Sequence, residues 1–140
     1  MGLFILFYNH GMNHWLPDLL RSYGMTPVEA GYWASIPTLF GMIASLSLPR
    51  MATPEWRFKI LCGLFICAAI AALMVLAASG PLLAVGLVLQ GMCRGAMTSI
   101  SILLLIESGD GNTNRVGAAS GLYFSVGEIG GVLGPMSMGA

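Results

Sequence analysis

Arg94 and Glu128 carry opposite charges in the middle of two consecutive apolar segments. Each lies about seventeen residues from a polar turn centred on Asp110 and Gly111. If the two segments are antiparallel helices in a membrane, both charges lie near the midplane, at about 1.5 Å of rise per residue. An isolated charge there costs roughly 2.5–3.5 kcal/mol, and pairing offsets part of that cost. The spacing therefore predicts that these side chains meet.

Two interpretations of this predicted pair stay open. The charges could simply lock two helices together, as buried ion pairs do. They could also form a substrate or proton site, which is the default interpretation of ionisable side chains inside a membrane. In that case Arg94 attracts an anionic group, and Glu128 carries a proton or holds Arg94 until substrate displaces it.

The first apolar segment supplies a second group of polar side chains. His10 lies at mid-depth, and His10 and His14 share a helix face because they are spaced i, i+4. The histidines could be hydrogen-bonding cavity residues or ordinary packing residues; as metal ligands they lack a third partner of evident spacing. We predict no metal and no other cofactor. The predicted substrate or proton site consists of Arg94, Glu128, His10, Asn13, His14 and Gln90.

Membrane-spanning helices must position these residues. The run from Ile60 to Cys93 has no charged side chain. As one helix it would be about 50 Å long, against a hydrocarbon core of about 30 Å. Gly80 and Pro81 divide it, because Gly favours a helix end and Pro a helix start. We predict an all-α fold, a polytopic transmembrane helix bundle, with spans at about 2–20, 28–48, 56–78, 81–106 and 116–139.

Two further helix starts are visible in the sequence. Thr26, Pro27 and Glu29 match the N-cap, N1 and N3 positions of a capping box. Thr53 and Pro54 repeat the N-cap and N1 pattern ahead of the third span. We predict a short polar connection at 21–27 before the second helix, and 49–59 as the next loop.

Positive charges near the span ends predict the orientation. The segment 49–59 carries Arg50, Arg57 and Lys59, whereas 79–81 carries no charge. We therefore place 49–59 and the turn 107–115 on the cytoplasmic side, and 21–27 and 79–81 on the outer side.

The composition excludes several classes of protein. Hydrophobic residues make up 56% of the chain and charged residues 9%, whereas a soluble domain is about 25% charged. A net charge of zero provides no field that would attract nucleic acid. Three cysteines without CxxC spacing, Cys62, Cys67 and Cys93, are predicted to be buried small hydrophobes. No GxSxG, HExxH or paired aspartates are present, so we predict that the protein is not an enzyme.

Polar residues and glycines distinguish the spans. The third span is apolar all round and is expected to face lipid, whereas the other four carry polar groups that would line a cavity. Glycines at four-residue spacing predict tight helix packing. These pairs are Gly91–Gly95, Gly117–Gly121, Gly127–Gly131 and Gly130–Gly134. The last cluster ends in Pro135, so its helix is expected to bend and could act as a gate.

An ordered set of motifs resembles the second half of a major facilitator superfamily transporter, over helices seven to eleven and nearly the whole chain. The set comprises Trp15-Leu16-Pro17, Gly24-Met25-Thr26, Ala30-Gly31, Pro49-Arg50 with Arg57, Gln90-Gly91-Met92-Cys93-Arg94-Gly95, and Gly130-Gly131-Val132-Leu133-Gly134-Pro135 with Gly139.

This resemblance implies proton- or gradient-coupled movement of a small solute by alternating access. It also implies a multi-pass protein of the plasma membrane, of the bacterial inner-membrane type. We expect the chain to be a fragment whose partners are the lipid bilayer, the solute, and the missing N-terminal half of the same transporter. The arginine helix hints at a small polar or anionic solute, as in cyanate- or nitrate-type porters. The alternative is a membrane scaffold or assembly subunit that uses its GxxxG faces and transports nothing itself.

Overall fold

Five helices make up the part of the chain that the computed structural model describes, which is residues 1–77, 80–108 and 113–138. No β-strand occurs in these ranges. The helices are α1 (Gly2–Ser22), α2 (Pro27–Met51), α3 (Pro54–Ala77), α4 (Pro81–Ser108) and α5 (Thr113–Met138). The predicted turns at 79 and at 109–112 lie outside the described residues, as do 139 and 140.

Three of these helices are long and apolar enough to cross a bilayer, namely Pro54–Ala77, Pro81–Ser108 and Thr113–Ser137. The all-α membrane fold predicted from the sequence is therefore confirmed. Spans at α1 and α2 stay predictions, because neither helix is among these three.

The chain forms two compact units. Unit 1 consists of Met1–Ala30 and Leu105–Ala140, and unit 2 of Gly31–Leu104. Unit 1 contains α1, all of α5 and short ends of α2 and α4, and unit 2 contains most of α2, all of α3 and most of α4. The candidate site residues are divided between these units.

In unit 1, α1 and α5 run parallel. A Cβ placed on Gly2 would lie 2.8 Å from the Tyr123 carbonyl oxygen, and one on Gly127 would lie 3.0 Å from Leu6 Cδ2. One turn farther along both helices, Gly131 faces His10. The two helices of unit 1 therefore point in the same direction.

The three helices of unit 2 alternate in direction. Gly91 of α4 meets Pro37 of α2, and Gly95 meets Gly41, so α2 and α4 are parallel. Gly86, near the start of α4, faces Met74 near the end of α3, and a Cβ there would lie 3.0 Å from Met74 Cβ. Together with the register of the cysteines described below, this makes α3 and α4 antiparallel.

The capping box at the start of α2 is present as predicted. The Thr26 backbone N–H and hydroxyl both donate to Glu29 Oε2, each at 2.8 Å. The Glu29 backbone N–H donates to Thr26 Oγ1 at 3.3 Å. These bonds satisfy donors that a helix N-terminus otherwise leaves unpaired, which explains why α2 begins at Pro27.

The connection between α2 and α3 is shorter than predicted. Instead of a loop over 49–59, α2 continues to Met51 and α3 begins at Pro54. The Thr53 carbonyl accepts the backbone N–H of Trp56 at 3.0 Å and of Arg57 at 3.1 Å, so the N-cap position starts the helix immediately. The positive charges of this segment therefore lie within helix ends.

Gly80 adopts a left-handed backbone conformation, with φ of 66°. An L-residue in this region costs about 1–2 kcal/mol, and no atom within 4 Å of a Cβ would add a clash. We expect Gly80→Ala to lower the free energy of unfolding by that amount, measured by thermal unfolding in detergent. Gly63→Ala is the control, because Gly63 lies within α3 and also has open space around it. Equal unfolding temperatures for the two variants would contradict the expectation.

Candidate functional site

A seam of glycines on α5 holds it against α1. A side chain on Gly130 would collide with the Leu3 carbonyl group, and one on Gly134 with the Phe7 carbonyl oxygen. A Cβ on Gly127 would lie 3.0 Å from Leu6 Cδ2. Glycines thus allow the two backbones to approach closely, as small residues do in membrane helix pairs.

Gly131 plays a different part in the same seam, because it faces polar side chains. A Cβ on Gly131 would lie 3.4 Å from Glu128 Oε2 and 3.4 Å from His10 Nδ1. The carboxylate and the imidazole are therefore no farther apart than twice that distance. His10 is half-buried and Glu128 is exposed on the surface of unit 1. The structure brings together two residues of the predicted site around Gly131.

Asn13 and His14 follow His10 along α1 and are both exposed. They extend a polar surface from His10 toward the end of the helix. With Glu128, they place several polar side chains on exposed positions in the middle of helices. Such residues in membrane proteins usually face a bundle interior or a water-filled cavity rather than lipid.

The other two predicted site residues lie on α4 in unit 2. Gln90 is fully buried, and its side-chain amide has no hydrogen-bond partner among the described residues. Arg94, one turn later, is half-buried, and its carbonyl accepts the Thr98 hydroxyl at 3.4 Å. Because Arg94 and Glu128 belong to different units, the predicted pair between them stays a prediction.

Gly91 and Gly95 fit α4 against a matching pair on α2. A side chain on Gly91 would collide with the Pro37 carbonyl, and one on Gly95 with the Gly41 carbonyl. Neither Pro37 nor Gly41 was predicted from the sequence as a packing residue. Their four-residue spacing, which repeats that of Gly91 and Gly95, was the available signal.

Other small or sulfur-containing residues depart from the predictions. Gly117 and Gly121 are exposed, and a Cβ on either would meet no atom within 4 Å, so this GxxxG pair does not pack tightly in the described structure.

The prediction of three buried cysteines is wrong for Cys62, which is exposed, because α3 turns one side outward. Cys67 is half-buried and Cys93 is buried. Pro135 lies within α5, and its predicted gating role stays a prediction.

His10 and Glu128 are ionisable side chains on two helices that pack closely together, and their role in a substrate or proton site stays a prediction. No group of three or more metal-binding side chains occurs among the described residues. The described part of unit 1 thus holds two ionisable side chains of the predicted site beside a close-packed helix seam.

Comparison with known proteins agrees with this architecture. The sequence profile of the Major Facilitator Superfamily matches residues 1–135. A quinolone resistance transporter of Acinetobacter baumannii is 29% identical over 133 residues, which is 93% of this chain. The chain spans 30% of the length of that relative. No solved structure matches the chain. The family match extends over nearly all of the sequence, and the chain therefore belongs to the major facilitator superfamily.

Proposed function

We propose that this chain supplies helices to a secondary active transporter that moves a small polar or anionic solute by alternating access, driven by a proton gradient. The observation that carries the proposal is the approach of His10 to Glu128 at Gly131. Two ionisable side chains in the middle of predicted membrane helices cost more free energy than an apolar pair would. Helix packing alone therefore does not explain their presence.

Polar residues of each unit are proposed to take part in solute binding. Arg94 supplies the positive charge for an anionic group, and the buried, unpartnered amide of Gln90 supplies a donor and an acceptor. Asn13 and His14 offer further hydrogen bonds from exposed positions. Among small solutes, the sequence resemblance favours cyanate- or nitrate-type anions. The A. baumannii relative instead favours a quinolone, so both classes belong in a solute panel.

The chain is proposed to work together with the N-terminal half of the same transporter. Inverted or parallel repeats that enclose a site between them are the usual architecture of such transporters. The exposed polar side chains of unit 1 would then face this half across a water-filled cavity. The bacterial relative supports placement in an inner membrane.

The alternative function is a membrane scaffold without transport of its own. A scaffold would keep its GxxxG faces free for other proteins. Here Gly91 and Gly95 contact α2, and Gly130 and Gly134 contact α1. Only Gly117 and Gly121, of the predicted glycine pairs, remain exposed. The use of these faces within the chain favours the transporter.

Substitution of Arg94 tests the proposed function. In the transporter that contains this chain, we expect Arg94→Ala and Arg94→Gln to lose solute uptake in proteoliposomes while the folded yield is kept. Arg94→Lys is expected to keep part of the activity, since lysine retains the charge but not the planar fork of donors. Uptake of radiolabelled solutes and size-exclusion profiles are the two measurements.

Arg50→Gln serves as the matched control, because Arg50 is exposed at the end of α2. It should transport normally. If every Arg94 variant lost folded protein and activity in parallel, Arg94 would have a structural role. If Arg94→Ala transported at the normal rate, the proposed solute site would be wrong.

A further inference from the structure

Two cysteines of unit 2 approach each other from neighbouring helices. Cys67 on α3 interacts with the thiol of Cys93 on α4. Cys93 is almost completely buried, with 2% of its surface exposed, and Cys67 is half-buried. Cys62, on the same helix as Cys67, is exposed. The chain thus contains a thiol pair and one separate thiol.

The packing of α3 against α4 gives independent support for this approach. Gly86 faces Met74 and Val75, with distances from its added Cβ of 3.0 Å and 3.2 Å to their side chains. In an antiparallel pair, a step of two turns in opposite directions from Met74 and Gly86 reaches Cys67 and Cys93. The two sulfur atoms therefore share one level of the helix interface.

We propose that Cys67 and Cys93 form a binding site for a soft, two-coordinate cation of the Hg²⁺ or Cu⁺ type. Sulfur ligands select soft cations, and two thiolates complete a linear coordination that needs no further ligand. Zn²⁺ requires about four ligands in a tetrahedron, and this site offers two. The surroundings are apolar, so the reagent must arrive as a neutral species such as HgCl₂.

The binding step is a ligand exchange without a change of oxidation state. Each thiol loses its proton, and each sulfur forms a bond to the same mercury atom. Two chlorides leave the mercury, and two HCl are released per HgCl₂. The product is a sulfur–mercury–sulfur bridge that ties α3 to α4.

Retention of mercury after a monothiol wash tests the site. The purified chain in detergent is treated with one equivalent of HgCl₂ and then washed with excess N-acetylcysteine, which removes mercury held by a single thiol. We expect one mercury per chain to remain, measured by elemental analysis and intact mass. Peptide mapping after maleimide labelling should show Cys67 and Cys93 protected and Cys62 labelled. An equal dose of ZnCl₂ should leave no metal after the wash.

Single-cysteine variants provide the matched comparison. Cys62→Ser should retain mercury as the unmodified chain does, and Cys67→Ser should lose it to background. Cys93→Ala is the second test, and thermal unfolding shows whether each variant is folded. Retention by Cys67→Ser at the unmodified level, or loss from the unmodified chain, would overturn the proposal. The labelling pattern of the unmodified chain decides the question even if a variant fails to fold.

Discussion

Replacing Gly95 by alanine is expected to destabilise the packing of α2 on α4 and to reduce the yield of folded protein. The added Cβ would collide with the Gly41 carbonyl oxygen and would lie 2.8 Å from its carbonyl carbon and 2.9 Å from its Cα. These are backbone atoms, so no side chain can rotate away. Overpacking of this kind costs about 1–3 kcal/mol, and more where the helices must separate. The measurement is thermal unfolding in detergent, with folded yield by size-exclusion chromatography.

The matched control for this variant is Gly117→Ala. Gly117 lies in α5, and a Cβ there meets nothing within 4 Å. Alanine is about 0.5–1 kcal/mol more favourable than glycine inside a helix, so this variant should be neutral or slightly more stable. The two substitutions are chemically the same and are expected to have opposite signs. A similar small effect at both positions would show that the close approach of Gly95 to Gly41 does not limit stability.

The helices could be predicted from the sequence because their signals are local. The Thr26 and Glu29 capping box and the Gly80-Pro81 break depend on residues that are close in the chain. The length of the α2–α3 connection was less predictable, since the charged segment after Thr53 is itself helical. Charge in a sequence marks a polar environment, and a helix end that emerges from the membrane provides one.

The partners of each helix were less predictable. The spacing of Gly91 and Gly95 indicates that this face of α4 packs closely against another helix. The spacing does not identify which helix that is. The contact with Pro37 and Gly41 depends on tertiary arrangement. The approach of Cys67 to Cys93 depends on the register between α3 and α4, which residue counts fix only when the turn between them is known.

The candidate site illustrates the same limit. Equal depth in the membrane selected Arg94 as the partner of Glu128, and depth alone does not specify which helices are neighbours. Within unit 1, the structure places His10 and Glu128 around Gly131, because the glycine seam brings α1 against α5. Both residues belong to the predicted site, and its chemistry and the Arg94–Glu128 pair stay predictions.

Gly131 offers a graded test of the space between His10 and Glu128. An alanine Cβ would lie at ordinary contact distance from both side chains, at 3.4 Å. Gly131→Ala is therefore expected to keep transport, and Gly131→Leu to fill the gap and block it. These two variants change the side-chain volume beside Glu128 and leave its charge unchanged, so they test the effect of volume alone.

Glu128→Gln is expected to lose uptake driven by a pH gradient while it keeps solute exchange across the membrane. Glutamine preserves the size and polarity of the side chain but cannot carry the proton, and exchange requires no net proton movement. A coupling free energy of 1–3 kcal/mol corresponds to a loss of about 5–150-fold. His10→Gln should give the same loss, and the double variant no further loss, because two residues that act on one proton are not additive. Uptake and counterflow in proteoliposomes measure both activities. Equal loss of exchange and of gradient-driven uptake would assign Glu128 a structural role. Unchanged gradient-driven uptake would show that Glu128 does not carry the coupled proton.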